Sequence, residues 1–552
     1  MDNHMDKMKQ ERLLFFPKVN RRVFTVSAIL ILGFIILGAA FSETAGAVFS
    51  ATQDWLANTF GWALIILVNM LLIAVVYLAF GRFGDIRLGR MNETPQYDLF
   101  SWTAMLFSAG IGIGLIYWGA AEPLYHFFAP PTGDAETLEA AKQAMTISFL
   151  HWGFHAWAIY AIVALALAYF HFRKGLPLTI RSALYPLLGD KIFGFWGDVV
   201  DILAVFGTMF GIVTSLGLGA MQINSGLTTV FGLPDSVIVQ ISVIAVITAM
   251  ATLSVVAGLD GGIKRLSNIN IALSILFLAF MVIVGPTLFI FDTFVQSYGA
   301  YVGALVSWGT WAEGWTDGGT WQNSWTIFYW AWWISWAPFV GVFVARISRG
   351  RTIREFLIGV MLIPASIMFF WFCAFGGTAL SISLGGDPTL VDATKNAYGD
   401  AMFALLDYFP FPELTSGFAI VLIVMWFVTS SDSGSFVIDM LTAGGDPNPP
   451  KVQRIFWAVT EGAVASVLLL AGGLSGLQAA AVIAGFPFAI VVLLILIGLV
   501  KALRWDPLMI YRHNQRYRND AEADHAMPPE LPGELYGAEP TPPPSATQSP
   551  AE

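Results

Sequence analysis

The sequence predicts an all-α integral membrane protein with about twelve transmembrane helices. Its composition, its recurring long apolar segments and the one-sided placement of its cations carry that prediction. Of 552 residues, 56% are hydrophobic and only 12% charged, so a water-soluble fold would lack the polar groups to cover its surface. Apolar segments of roughly 20 residues, the length a helix needs to cross a hydrocarbon core of about 30 Å, recur along nearly the whole chain. They fall at 23–43, 60–80, 98–119, 144–170, 199–222, 236–257, 268–291, 322–345, 356–377, 414–437, 455–473 and 479–501.

Lys and Arg near span ends are retained in the cytoplasm. They cluster in 7–22, 82–90, 173–191, 264–265, 346–354, 451–454 and 501–518, while the intervening loops hold only Lys142 and Lys395. This alternation predicts an even number of spans with both termini cytoplasmic. The external loops are acidic and the formal net charge is −10, which excludes nucleic acid as a partner and leaves the lipid bilayer as the natural surroundings. Cys373 is the single cysteine and lies in an apolar run, excluding intramolecular disulfides and cysteine-based metal sites. The basic segment 1–22 precedes an apolar run longer than a signal-peptide core, so the first span reads as retained. The tail from about 519, Pro-rich and acidic, reads as disordered.

The third span carries three alternate glycines, Gly110, Gly112 and Gly114, within Ser108-Ala109-Gly110-Ile111-Gly112-Ile113-Gly114. Such a run weakens a helix. It has two readings: close packing through small residues, or an unwound stretch, tolerated at membrane depth only beside protein or an aqueous cavity. A dinucleotide fingerprint is excluded, because Leu115 replaces its last glycine and no strand precedes it.

The tenth span contains Trp426-Phe427-Val428-Thr429-Ser430-Ser431-Asp432-Ser433-Gly434-Ser435. Hydroxyl and carbonyl oxygens at this density suit an alkali cation, sodium foremost. Equally, Thr and Ser hydroxyls bond back to carbonyls one turn earlier and bend the helix. A carboxylate such as Asp432 at this depth calls for a partner.

The fourth span holds His151, Trp152, His155, Trp157 and Tyr160, and the eighth holds Trp330, Trp332, Trp333, Trp336 and Phe339. On a helix turning about 100° per residue, Trp332, Trp336, Phe339 and Phe343 share one stripe with Trp333 beside it. Aromatic stripes serve core packing. Two that face one another also form a box for a permanent cation, whose methyl groups donate no strong hydrogen bonds but which ring faces attract. His151 and His155 have metal-compatible spacing, yet no carboxylate or cysteine lies near them in sequence, so they read as buried hydrogen-bonded histidines.

In their order along the chain, these segments resemble the betaine/choline/carnitine transporter family over most of residues 20–505. The glycine run, the Trp152/Trp157/Tyr160 segment, the run from Trp330 through Pro338 to Arg351, and Thr429-Ser430-Ser431-Asp432-Ser433 carry the likeness. The resemblance implies a leucine-transporter-like fold with two inverted five-helix repeats, and a homotrimer in the cell inner membrane. Its organisation would be a basic N-terminal tail (1–22), two peripheral helices (23–97), a first repeat (98–291), an external connection (292–321), a second repeat (322–501) and a cytoplasmic tail (502–552).

The resemblance also implies site residues. Trp152, Trp157, Tyr160, Trp332 and Trp333 would form the box, with Trp336 along the substrate path and Gly112 and Gly114 beside it. Main-chain carbonyls of Ser108, Ile111 and Trp426 with the side chains of Thr429 and Ser430 would hold sodium as the coupling ion, with no other cofactor. Gly114, Thr429 and Ser430 match the sodium-dependent pattern. Thr208 would serve a second sodium, although Ile212 lacks the hydroxyl expected one turn later. The expected activity is import of glycine betaine, choline or a related onium osmolyte with sodium. The alternatives are a proton-coupled choline carrier, an intramembrane enzyme around Asp201, Asp432 and Glu461, and a channel.

Overall fold

The computed structural model describes residues 11–13, 16–110, 112–257, 263–315, 320–446, 448–512 and 515. The chain is a bundle of helices: α1 (Arg21–Ala40), α2 (Ser42–Phe80), α3 (Leu99–Gly110), α4 (Ile113–Phe128), α5 (Leu138–Trp152), α6 (Phe154–Ala168), α7 (Phe195–Phe231), α8 (Val237–Ala257), α9 (Ile263–Val284), α10 (Thr287–Gly303), α11 (Phe328–Ile347), α12 (Ile353–Phe372), α13 (Pro412–Thr442) and α14 (Lys451–Arg504), with shorter helices between them. Among the described residues, ten helices are long and apolar enough to cross a membrane. Their outward faces carry bare aliphatic side chains: Ile238 is 78% exposed, Ile283 76% and Ile73 69%. Water would not tolerate such a surface, and lipid does. The protein is a multi-span membrane protein.

The departures from the predicted spans have local causes. The third span is not one helix: α3 ends at Gly110 and α4 begins at Ile113, with Gly112 fully extended (φ −169°, ψ −178°). Between these two readings of the glycine run, the broken helix is the one found. The fourth span bends where α5 meets α6 at Gly153, whose added β-carbon would come within 2.6 Å of Phe369 Cζ. The seventh stops early, because Gly285-Pro286 ends α9 and opens α10, a helix inside the stretch expected as a connection. The last two predicted spans lie in α14, which bends sharply at Gly473 (φ 55°, ψ −130°). A short antiparallel ribbon, β1 (Glu11–Leu13) with β2 (Phe16–Val19), lies in the basic N-terminal segment. It lies ahead of the first span, in the segment expected as a tail, and so brief a pairing leaves no signal in hydrophobic periodicity.

Helix starts follow capping chemistry. Thr137 accepts the Ala140 amide at α5, and Thr352 and Glu355 close a reciprocal capping box at α12. The basic segments meet at one end of the bundle: Arg87 donates to the Gly350 carbonyl, Arg173 to that of Gly89, and Arg349 pairs with Glu93 at 2.5 Å. Lys395 pairs with Glu136 in the acidic loops. In the core, α13 packs along α7, and α11 lies against α6 and α7. The described part of the C-terminal unit, 502–512 and 515, continues from α14 into a short helical turn over 507–512.

Candidate functional site

Beside the start of α4 lies a cavity of about 730 Å³, lined there by Gly112, Ile113, Gly114 and Leu115. Trp152, Trp157, Tyr160, Trp332, Trp333 and Trp336 all line it, as do Gly112, Gly114, Trp426, Thr429 and Ser430. Residues read separately from four spans therefore share one chamber. Trp332 and Trp333 stack face to face, 4.7 Å apart and 16° from parallel. Trp152 stands edge-on to both, at 6.2 and 4.9 Å, and Tyr160 is 6.2 Å from Trp333.

Four of the indole N–H groups are committed to the protein. Trp152 donates to Glu122 Oε2 (2.8 Å), Trp333 to the His151 carbonyl (2.8 Å), Trp332 to the Gly211 carbonyl (3.3 Å) and Trp157 to Met368 Sδ (3.4 Å). Each ring is thus fixed by its polar edge, which leaves π-surface for the chamber. Among the described residues lining the chamber none is Asp or Glu.

Of the expected sodium ligands, the structure brings Trp426, Thr429 and Ser430 to the chamber wall. The Thr429 hydroxyl lies 3.1 Å from the Trp426 carbonyl and 3.0 Å from that of Met425, so the back-bonding geometry of the bland reading is present. It also accepts from Asn270 Nδ2 at 2.8 Å. Ser108 lies in α3, its side chain outside the described residues, and Ile111 lies outside them altogether. Thr208 is buried in α7 with no hydrogen bond to its hydroxyl and is not among the chamber's lining residues.

Sequence reasoning passed over five side chains that position the site. Asn270 and Ser274, one turn apart on α9, hold Thr429 and the Trp426 indole; a polar i, i+4 pair in an apolar span was the available signal. Glu122 on α4 accepts from Trp152, from Tyr329 Oη (2.5 Å) and from His151 Nδ1 (2.7 Å). Arg454 partners Asp432 at 2.6 Å, and Ser254 donates to the other oxygen of Asp432. The histidines are indeed buried and bonded, His155 to Asn69 and His151 to Glu122 and Thr326.

The chamber is asymmetric. From the box it runs past Trp336, Phe339 and Phe343 to Arg346 and Arg454, among the basic segments. Behind the box, Tyr329 packs against Trp152 and Trp333, and Trp118, Trp325 and Tyr398 form an aromatic cluster against it.

The sequence profile of the betaine/carnitine/choline family transporters matches residues 22–508. The chain belongs to this family. It is a transporter, and Asp201 and Asp432, weighed above as enzyme groups, are instead paired with Arg181 and Arg454. As a betaine/carnitine/choline family transporter, the chain is 44% identical over 501 residues to a glycine betaine transporter of Acinetobacter baylyi, covering 89% of this chain and 74% of that one. It is 44% identical over 493 residues to a glycine betaine transporter of Bacillus subtilis, with 87% and 94% covered. It is 43% identical over 515 residues to a glycine betaine/proline/choline/ectoine transporter of Vibrio parahaemolyticus, with 90% and 89% covered.

Proposed function

We propose that this chain imports glycine betaine, or a closely related onium osmolyte such as choline, together with sodium. One observation carries the reading: stacked and edge-on indoles, fixed by their N–H edges, wall a chamber whose described lining holds no carboxylate. A primary amine would call for carboxylates and hydrogen-bond acceptors there, whereas a trimethylammonium group is attracted by ring faces at about 0.5–2 kcal/mol each. The start of α4 supplies the complement. The Leu115 and Ile116 amides bond to the Gly112 carbonyl, so Ile113 and Gly114 form the first turn of α4 and bring the helix's positive end beside the box. A betaine carboxylate fits that end. The names of the relatives cited above accord with this substrate class.

Sodium coupling is supported by the donor set. The Trp426 carbonyl and Thr429 hydroxyl are hard oxygens 3.1 Å apart, next to Ser430. Ser108 and Ile111, across the helix break, would complete the shell. An ion bridging α3 and α13 would clamp the helix break beside the chamber, so sodium and substrate would favour each other's binding. Thr208 would hold a second sodium only if α7 moved it toward the chamber.

The basic end would face the cytoplasm, both termini included, which makes the present conformation an inward-facing one. Twelve spans, ten of them in two inverted repeats (98–291 and 322–501), and a homotrimer in the inner membrane complete the proposal. Rocking of one repeat-derived bundle against the other would alternate access, with the membrane potential contributing about 2.3 kcal/mol per charge per 100 mV. Uptake of labelled glycine betaine into proteoliposomes tests the coupling: an inward sodium gradient at fixed pH should drive accumulation. Equal uptake with potassium in place of sodium, or accumulation driven by a pH gradient alone, would overturn it.

A further inference from the structure

Glu122, His126 and His151 converge behind the aromatic box, and none of them is among the chamber's lining residues. Glu122 and His126 are one turn apart on α4, and His151 is the penultimate residue of α5. One ligand-type atom from each lies within 4.8 Å of the other two, and all three side chains are fully buried. His151 Nδ1 is 2.7 Å from Glu122 Oε1. His126 Nε2 is 3.5 Å from that same oxygen, and neither ring nitrogen of His126 makes a hydrogen bond. A buried imidazole with one nitrogen unpartnered and the other only 3.5 Å from a carboxylate already shared with a second imidazole is under-bonded, with room for a shared ion.

We propose that Glu122, His126 and His151 form a site for a divalent transition metal of the zinc class. Two imidazoles and a carboxylate are a common ligand set for zinc. Around a metal with ligand bonds of 2.0–2.1 Å, tetrahedral neighbours stand about 3.4 Å apart, close to the His126–Glu122 separation. The surrounding bonds are those that orient ligands. Thr326 Oγ1 lies 3.1 Å from His151 Nε2 and fixes that ring, while Trp152 and Tyr329 hold the second oxygen of Glu122. The metal would displace the hydrogen between His151 and Glu122 and take up the free nitrogen of His126. Trp321 and Trp325, with ring centroids 5.2 and 4.6 Å from that of His126, wall off the site. The site stands apart from sodium coupling and from the identity of the osmolyte, so it can fail while those readings hold, and the reverse.

The test uses untagged full-length protein, stripped with a chelator and titrated with cobalt(II) as a spectroscopic stand-in and with zinc. Wild type should bind one ion per protomer, with visible cobalt absorption of the tetrahedral kind and a raised thermal unfolding midpoint. His126→Gln should weaken binding by more than about tenfold, the loss that removing even an outer partner brings, with glycine betaine uptake as the folding check. His126→Cys should keep the ion and add a thiolate-to-cobalt charge-transfer band that wild type lacks. No stoichiometric binding by wild type, equal binding by His126→Gln, or no new band in His126→Cys would each overturn the proposal.

Discussion

Gly114 lies directly under Trp332: a β-carbon there would come within 2.8 Å of Trp332 Cη2 and 3.2 Å of Trp152 Cη2. The same addition at Gly112 meets nothing within 4 Å. Of these two glycines, only Gly114 is required by its surroundings. Gly112 lies in the helix break, and Gly114 makes room for the indoles.

Gly114→Ala should push Trp332 off its stack with Trp333 and raise the KM for glycine betaine by about tenfold or more, the effect of losing roughly 1.4 kcal/mol of binding. Gly112→Ala should change KM by less than about threefold. Initial uptake rates in cells, normalised to membrane expression, check the contrast. Equal effects would show that the crowding at Gly114 is not what the box depends on.

Trp333→Leu removes one ring face while keeping an apolar side chain. At about 0.5–2 kcal/mol per face, binding should weaken by about 2- to 30-fold. The loss should be similar for glycine betaine and choline, because both present the same head. Competition against labelled glycine betaine measures it, and a loss confined to one of the two ligands would contradict the assignment.

Asn270→Ala takes away the donor that orients the Thr429 hydroxyl, and Thr429→Val takes away the hydroxyl itself. Both should raise the sodium concentration for half-maximal uptake, Thr429→Val the more strongly, by about tenfold as expected for losing a charged-group contact of about 1.5 kcal/mol. At saturating sodium, the KM for glycine betaine should return toward the wild-type value. A KM change that sodium does not rescue would place these residues in the fold rather than in coupling.

Asp432 and Arg454 form an ion pair whose side chains are 1% and 5% exposed. Arg454→Gln leaves a buried carboxylate without its cation, a change that costs about 3–5 kcal/mol. The double variant with Asp432→Asn removes both charges and should recover much of the loss. Thermal unfolding midpoints of detergent-solubilised protein test this; a double variant no more stable than Arg454→Gln would mean that the pair carries no such linkage.

The chamber's wall was legible because tryptophans at helical spacing in apolar spans, beside a glycine run that no continuous helix favours, are local signals. Residue type and period name Trp332, Trp333 and Trp336 as one face without knowledge of the partner helix. What escaped was nonlocal. Asn270 meets Thr429 across 159 positions, Ser254 meets Asp432 across 178, and Glu122 meets Tyr329 across 207. Nothing in a single sequence pairs them. The bend at Gly153 was hidden because the apolar run continues through it, and hydropathy reports burial, not backbone direction. Thr208 illustrates the converse: a hydroxyl in the expected register on α7 is not among the side chains lining the chamber.

Attraction of a fixed positive charge by ring faces, beyond simple shape, is the claim on which the rest depends. Glycine betaine and tert-butylacetate have nearly the same outline and carboxylate, but only the first carries a cationic head. Measured by competition for uptake in saturating sodium, glycine betaine should bind at least about tenfold more tightly, and Trp333→Leu should narrow the gap. Equal affinities for the two would mean that the indoles supply only a hydrophobic wall, contradicting the account.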